Sequence, residues 1–251
     1  MCAVKREAAL SRAEMLAEMG ISPQWQLRGP AMPPTASCAV SGPVTASPAL
    51  ETRGAQTRPD VDEAAWDALV ASVRACRACA LCEHRHQPVL GVGDRSPTWL
   101  FIGEAPGAEE DVKGEPFVGQ AGRLLDNMLA AIGLNRGEGV YIANAVKCRP
   151  PGNRTPESKE IAACHSFLMR QIELLQPRIV VLLGRAAVHA VLGEDVSLAS
   201  MRQQMFAFGK TPVVVTYHPA YLLRNLTEKY KVWEDLLFAR ACLKSRSNTS
   251  L

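Results

Sequence analysis

The stretch Thr98-Trp99-Leu100-Phe101-Ile102-Gly103-Glu104-Ala105-Pro106-Gly107 decides the fold. Residues 98–102 carry no charge and predict a buried strand. The Gly- and Pro-containing segment after them sits where a strand hands over to a ligand-binding loop. Three more apolar runs repeat the pattern at 140–145, 179–183 and 213–217. Helical patterns fall between them at roughly 121–132, at 156–175 (with Thr155 as N-cap and Pro156 in the first turn) and at 185–192, and a last helix over 229–243 closes the chain. Strands this apolar on both faces need helices on both sides. The expected fold is therefore α/β, a three-layer α/β/α sandwich around a central four-stranded parallel sheet.

Ligands of open parallel sheets bind beyond the carboxyl ends of the strands. The chain puts its chemically useful residues there: Glu104 follows the first strand, Asn144 ends the second, and His218 follows the fourth in Tyr217-His218-Pro219. Upstream, Asp60-Val61-Asp62-Glu63 places acidic residues at the head of a helix running through Trp66, Leu69 and Val73, which delivers Cys76 and Cys79. Cys148 and Cys164 flank a stretch rich in Arg, Pro and Gly. Four thiolates so placed can hold zinc or a 4Fe-4S cluster, and spacing alone does not choose between them. Cys82, Cys2, Cys38 and Cys242 match no ligand position.

Composition bounds the rest. A chain of 251 residues with 47% hydrophobic residues can bury one good core, but its 17 prolines are unevenly spread. Residues 1–59 read as a short amphipathic helix over 4–19 followed by a disordered Pro- and Ala-rich linker, and residues 60–251 as the folded domain. The N-terminal helix, with Trp25 nearby, either docks on a partner protein or forms an unconstrained extension. A formal charge of +3 is too mild to announce a nucleic-acid binder, so any DNA contact must come from a local patch. No membrane-spanning run and no signal peptide are legible, and cytoplasm is the expected compartment. Thiols there stay reduced, which favours ligands over disulfides.

Five motifs occur in order: Cys-Arg-Ala-Cys at 76–79, Gly-Glu-Ala-Pro-Gly-Ala-Glu-Glu-Asp at 103–111, Pro-Phe-Val-Gly-Gln-Ala-Gly at 116–122, Asn-Ala-Val-Lys-Cys-Arg-Pro-Pro-Gly-Asn at 144–153 and His-Pro-Ala-Tyr-Leu-Leu-Arg at 218–224. In these the chain resembles the family 4 uracil-DNA glycosylases, the iron-sulfur branch of their superfamily, from about Cys76 to the last helix. The resemblance implies an enzyme that flips uracil out of DNA and hydrolyses its N-glycosidic bond, leaving an abasic site and initiating base excision repair. It also implies a 4Fe-4S cluster on Cys76, Cys79, Cys148 and Cys164, with a structural rather than a redox role.

The resemblance carries site roles too. Phe117 stacks on the uracil face, and Asn144 accepts from uracil N3–H and donates to O4, a pattern that cytosine reverses. His218 donates to the developing anion at O2, and Glu104 orients water or stabilises the cationic sugar. Gly103, Ala105, Pro106, Gly107, Glu110, Asp111 and Asn153 complete the substrate pocket, with Glu110 excluding the thymine methyl. For DNA, Lys147, Arg149 and Arg154 form a basic strip for phosphates, joined by Arg224. Gly119, Gln120 and Gly122 open a helix whose amides suit another phosphate, and Leu222 and Leu223 form an apolar wedge.

Three rival readings remain. A family 5-like glycosylase with a broader taste for deaminated bases lacks the glutamate of the first motif, so Glu104 argues against it. A relative that captures the abasic sugar through a histidine has no counterpart here, since residues 149–154 contain none. A catalytically silent iron-sulfur DNA-binding module would not need Glu104, Asn144 and His218 together. A monomer is the simplest expectation.

Overall fold

The structure, a computed structural model, describes residues 62–194 and 197–248. The helix expected over 4–19, the linker after it and the domain boundary near residue 60 lie outside the described residues. Helix α1 (Glu63–Ala75) starts where the acidic cluster predicts, with the Asp62 carboxylate accepting from the Ala65 amide at 3.1 Å. Six strands follow: β1 (Val92–Gly93), β2 (Trp99–Gly103), β3 (Val140–Asn144), β4 (Ile179–Leu183), β5 (Met205–Phe208) and β6 (Thr211–Thr216). Their order in one sheet is β1-β3-β2-β4-β6-β5. The inner four, β3, β2, β4 and β6, are parallel and are the four apolar runs of the sequence.

Two antiparallel edge strands extend this predicted centre to a mixed sheet of six. Neither carries a buried apolar run: β1 has two residues and β5 alternates between exposed and half-buried positions.

The helices are α2 (Ala108–Lys113), α3 (Gln120–Ala131), α4 (Ser158–Leu175), α5 (Arg185–Leu192), α6 (Leu198–Met201), α7 (Pro219–Arg224) and α8 (Lys229–Asn248). Alternation along the strands sorts them into two layers. Leu100, Ile102, Ala143, Val180 and Val215 face one cluster with Trp66 of α1, Leu168 and Ile172 of α4, and Ala187 and Val188 of α5. Phe101, Ile142, Val181 and Val214 face the other, with Leu125 and Leu129 of α3, Leu222 of α7, and Val232 and Leu236 of α8. The three-layer sandwich is thus built as the strands' double-sided hydrophobicity requires.

One helix start differs from expectation. Thr155 is not the cap of α4. Pro156 forces the residue before it toward extended backbone, and Arg154 and Glu157 are themselves extended. The helix begins only after Glu157, where the Glu160 carboxylate accepts from the Glu157 amide at 2.7 Å in a capping box. Thr155 is freed for another role.

The helix after β2 lies on one face of the sheet, and those after β3 and β4 lie on the other. The chain ends of neighbouring strands therefore part, and a crevice opens beyond their carboxyl termini.

Candidate active site and thiol cluster

A cleft of about 870 Å³ occupies that crevice, within the range of small-ligand pockets. Its wall includes Glu104, Ala105, Pro106 and Gly107 after β2, Asn144 at the end of β3, and His218 after β6. Glu110, Phe117, Asn153, Arg154 and Arg224 also line it. Gly103 shapes the floor from behind: a Cβ there would lie 2.4 Å from the Phe117 ring and 2.5 Å from Asn144 Oδ1. No side chain fits between strand, ring and amide. Asn144 is 2% exposed, and its Oδ1 is a buried acceptor with no hydrogen-bond donor. Such an atom costs ~1–3 kcal/mol unless something donates to it.

His218 caps α7, its Nδ1 accepting from the Ala220 amide at 3.1 Å. With Nδ1 committed as acceptor, the neutral ring carries its proton on Nε2. Burial, followed by the nearby Arg224 charge, lowers its pKa to about 4, against a smaller opposing effect of Glu110. The imidazole is therefore neutral at pH 7. Glu104 moves the other way, its pKa raised chiefly by burial and only partly restrained by a hydrogen bond from Thr155 and by Arg224. Thr155, displaced from its expected capping role, thus supports the carboxylate.

Phe117 stacks against His218, with ring centroids 5.4 Å apart at 30°. It holds a left-handed backbone, φ 57°, which costs a non-glycine residue ~1–2 kcal/mol. Two devices hold it there. Glu110 Oε1 accepts from the Val118 and Gly119 amides at 2.9 and 3.1 Å. Arg136 donates to the Pro116 and Phe117 carbonyls at 2.9 and 2.8 Å, and Asp126 anchors its guanidinium. Arg136→Ala should therefore release the ring. The expected result is a rise of about tenfold in KM for substrate with little change in kcat, equivalent to ~1.4 kcal/mol. Arg136→Lys, which cannot span both carbonyls in one plane, should restore only part of it. An unchanged KM in both variants would mean that the clamp does not position the ring.

Several sequence expectations need correction. Asp111 is fully buried and is not a wall of the cleft; both its oxygens accept from the His86 amide, at 3.0 and 3.2 Å. Lys147 is 1% exposed and offers no surface charge for a phosphate, because its Nζ donates to the Asn144 carbonyl at 2.9 Å. Leu222, 1% exposed, is core rather than wedge, whereas its neighbour Leu223 is 39% exposed. Gly122 is a packing glycine: a Cβ would lie 1.8 Å from the Phe117 carbonyl oxygen. The Gly119 amide is taken by Glu110, leaving exposed Gln120 as the open part of that helix start. Arg149 is half-buried and donates to Asn153 Oδ1 at 2.7 Å, and Arg154 is bidentate on Glu160.

The four cysteines of the spacing pattern come together behind this edge. Cys76 is the C-cap of α1, Cys79 precedes a 3₁₀ turn, Cys148 follows β3, and Cys164 is on α4. Each of Cys79, Cys148 and Cys164 has its thiol pKa pushed up, first by burial, with neighbouring thiols of the set adding to the effect; Cys148 reaches about 11. Donors point at the sulfurs: Arg85 to Cys148 at 2.9 Å, and the Lys147 amide to Cys164 at 3.4 Å. N–H donors aimed at buried sulfur suit thiolate ligands. Among the described residues, no three His, Cys, Asp or Glu side chains close into a metal cage; the thiols are neighbours with the chemistry of a soft-metal donor set.

Residues 90–237 match the model of the uracil-DNA glycosylase superfamily. The chain is 44% identical over 176 residues to the type-4 uracil-DNA glycosylase of Thermotoga maritima, covering 68% of this chain and 91% of the relative. The chain belongs to the type-4 uracil-DNA glycosylases. The relatives of Archaeoglobus fulgidus (41% over 175 residues, 66% of this chain and 87% of the relative) and Saccharolobus solfataricus (40% over 192 residues, 73% and 88%) agree. As a type-4 uracil-DNA glycosylase the chain is a DNA glycosylase of an iron-sulfur family. No helix among its described residues is long and apolar enough to cross a membrane.

Proposed function

We propose that the cleft takes a uracil flipped from DNA and that Glu104, Asn144 and His218 carry out its release by hydrolysis. The observation that carries this reading is the unpartnered Asn144 Oδ1 on the cleft floor. A uracil N3–H supplies the missing donor, and Nδ2 beside it donates to O4; cytosine presents an acceptor and a donor in reverse, and leaves both unpaired. The Phe117 ring, clamped above Gly103, offers the flat surface on which the base stacks. As the glycosidic bond lengthens, His218 Nε2–H donates to the negative charge growing on O2. Glu104, whose charged form Thr155 and Arg224 favour against the larger effect of burial, faces the positive sugar and orients the water that attacks it. Glu110 is on the same wall and blocks the space a thymine methyl needs.

Cys76, Cys79, Cys148 and Cys164 would hold a 4Fe-4S cluster, which supplies a cross-link between α1, the end of β3 and α4. Every chemical step belongs to the cleft residues. Arg224 and Gln120 are exposed at this edge and would meet DNA phosphates, and Leu223 is left as the exposed residue of the wedge pair.

The test is release of free uracil from an oligonucleotide with one uracil by the cluster-loaded protein, with thymine and hypoxanthine oligonucleotides alongside. Uracil alone should be released. Hypoxanthine release at a comparable rate would point to a type-5-like range. Tight binding of uracil DNA without cleavage would make the chain a binding module.

A further inference from the structure

We propose that the exposed apolar face running from Leu223 through Leu226 to Tyr230 and Trp233 is a stacking surface for unpaired bases of the DNA strand whose uracil occupies the cleft. The inference rests on the function proposed above and extends it beyond the flipped nucleotide. Six large apolar side chains are exposed among the described residues, and four of them fall in this stretch of eleven: Leu223 at 39%, Leu226 at 62%, Tyr230 at 58% and Trp233 at 42%. Tyr230 and Trp233 are three apart on α8 and share one side of it, while Leu223 and Leu226 lie in the two short turns that lead into that helix, on either side of the non-helical Asn225. The core side of α8 is separate, formed by Val232, Leu236 and Ala239. Exposed apolar groups so concentrated mark an interaction site rather than scatter.

Their position identifies the occupant. Arg202 donates to the Lys231 carbonyl at 2.7 Å and to both oxygens of Asp235. Asp235 in turn accepts from Thr216 Oγ1 at 2.6 Å. Thr216 ends β6, two residues before His218, so the first two turns of α8 stand level with the cleft rim. The face also continues from the cleft itself, whose wall includes Ala220, Tyr221 and Arg224 of the preceding helix. A strand that delivers uracil to His218 and leaves the cleft past Arg224 meets this rim. Arg224 and Lys229 are exposed between the apolar groups, while Lys231, whose Nζ is 5.9 Å from the centre of the Tyr230 ring, is paired with Glu228 at 2.8 Å. Aromatic rings interleaved with cations are what single-stranded nucleic acid recruits, bases to the rings and phosphates to the charges. In a duplex the bases are stacked on each other, so the face serves an unpaired strand.

The experiment compares wild type with the Tyr230→Ala/Trp233→Ala double variant on single-uracil substrates, one a single strand of about 20 nucleotides and one the same strand in a duplex. The double variant should raise KM on the single strand by about tenfold, leave kcat at saturation, and change duplex KM by less than about twofold. A second readout needs no catalysis: a uracil-free single strand should quench wild-type tryptophan emission, and Trp233→Phe should remove most of that quenching. Glu104→Gln should keep the quenching, so a failed cleft reading leaves this signal intact. Equal KM values on both substrates with equal quenching in Trp233→Phe would overturn the proposal. So would a dimer in sedimentation that Trp233→Ala dissolves, since a second copy would then own the face.

Discussion

Glu104→Gln is expected to lower the single-turnover rate of uracil release by about a thousandfold without harming the fold. The substitution keeps the shape of the side chain but removes the charge that faces the sugar cation and the basic oxygen that orients water. Its effect on stability follows from the direction of the pKa. A carboxyl raised above its ordinary value of 4.5 by burial favours the folded state below that value and loses this contribution as pH rises through the folded pKa. Burial thus disfavours the charged form of Glu104 in the folded state, and the uncharged glutamine variant should melt at the same temperature or higher. The pH profile gives a sharper check. His218, neutral down to about pH 4, adds no step between there and neutrality. Wild-type activity should fall along an acid limb centred above 4.5, and the residual activity of Glu104→Gln should lack that limb. A variant that keeps both the rate and the limb would remove Glu104 from the mechanism.

The parts of the molecule that the sequence made legible are those where residue type and burial coincide. Runs such as 179–183 are apolar on both faces because helices cover both, so the inner strands and their parallel order of layers could be read directly. The edge strands could not: Val92–Gly93 is too short to show a period, and Met205–Phe208 is half in water. Glu104, Asn144 and His218 were legible because each stands at a strand end, where the fold class itself predicts a ligand.

Failures arose where a polar residue was buried. Lys147 and Asp111 look like surface groups in a string of letters, yet one ties the Asn144 carbonyl and the other the His86 amide. Leu222 and Leu223 are adjacent and alike in type, but a helix turns one into the core and the other outward. Arg136 was invisible for another reason. Its partners are backbone carbonyls 19 and 20 residues away, and main-chain acceptors leave no trace in side-chain pattern. Thr155 followed by Pro156 has the letters of a helix start, yet the helix begins after Glu157 and the Thr155 hydroxyl is bonded to Glu104 instead.

Asn144→Asp tests the floor of the cleft, and its largest effect is expected on choice of base. In the wild type, Oδ1 awaits a donor and Nδ2 supplies one, so uracil satisfies both groups while cytosine satisfies neither. A site built to hydrogen-bond its substrate rejects a mismatched analogue by about 10⁴-fold or more. Aspartate keeps an acceptor for N3–H but has no donor for O4, which forfeits one buried hydrogen bond. It also places a second carboxylate behind Glu104 in a cleft whose burial already disfavours one charge. Uracil kcat/KM should therefore fall by about 100-fold or more, roughly the ~3 kcal/mol of a buried polar group left unpaired. The new oxygen at the Nδ2 position can instead accept from the cytosine amino group, which the wild-type amide does not, so the ratio of uracil to cytosine release should shrink further than the uracil rate itself. The measurement is kcat/KM on matched oligonucleotides with uracil or cytosine at one position. An equal loss on both bases, with the ratio preserved, would show that Asn144 shapes the cleft without reading the base.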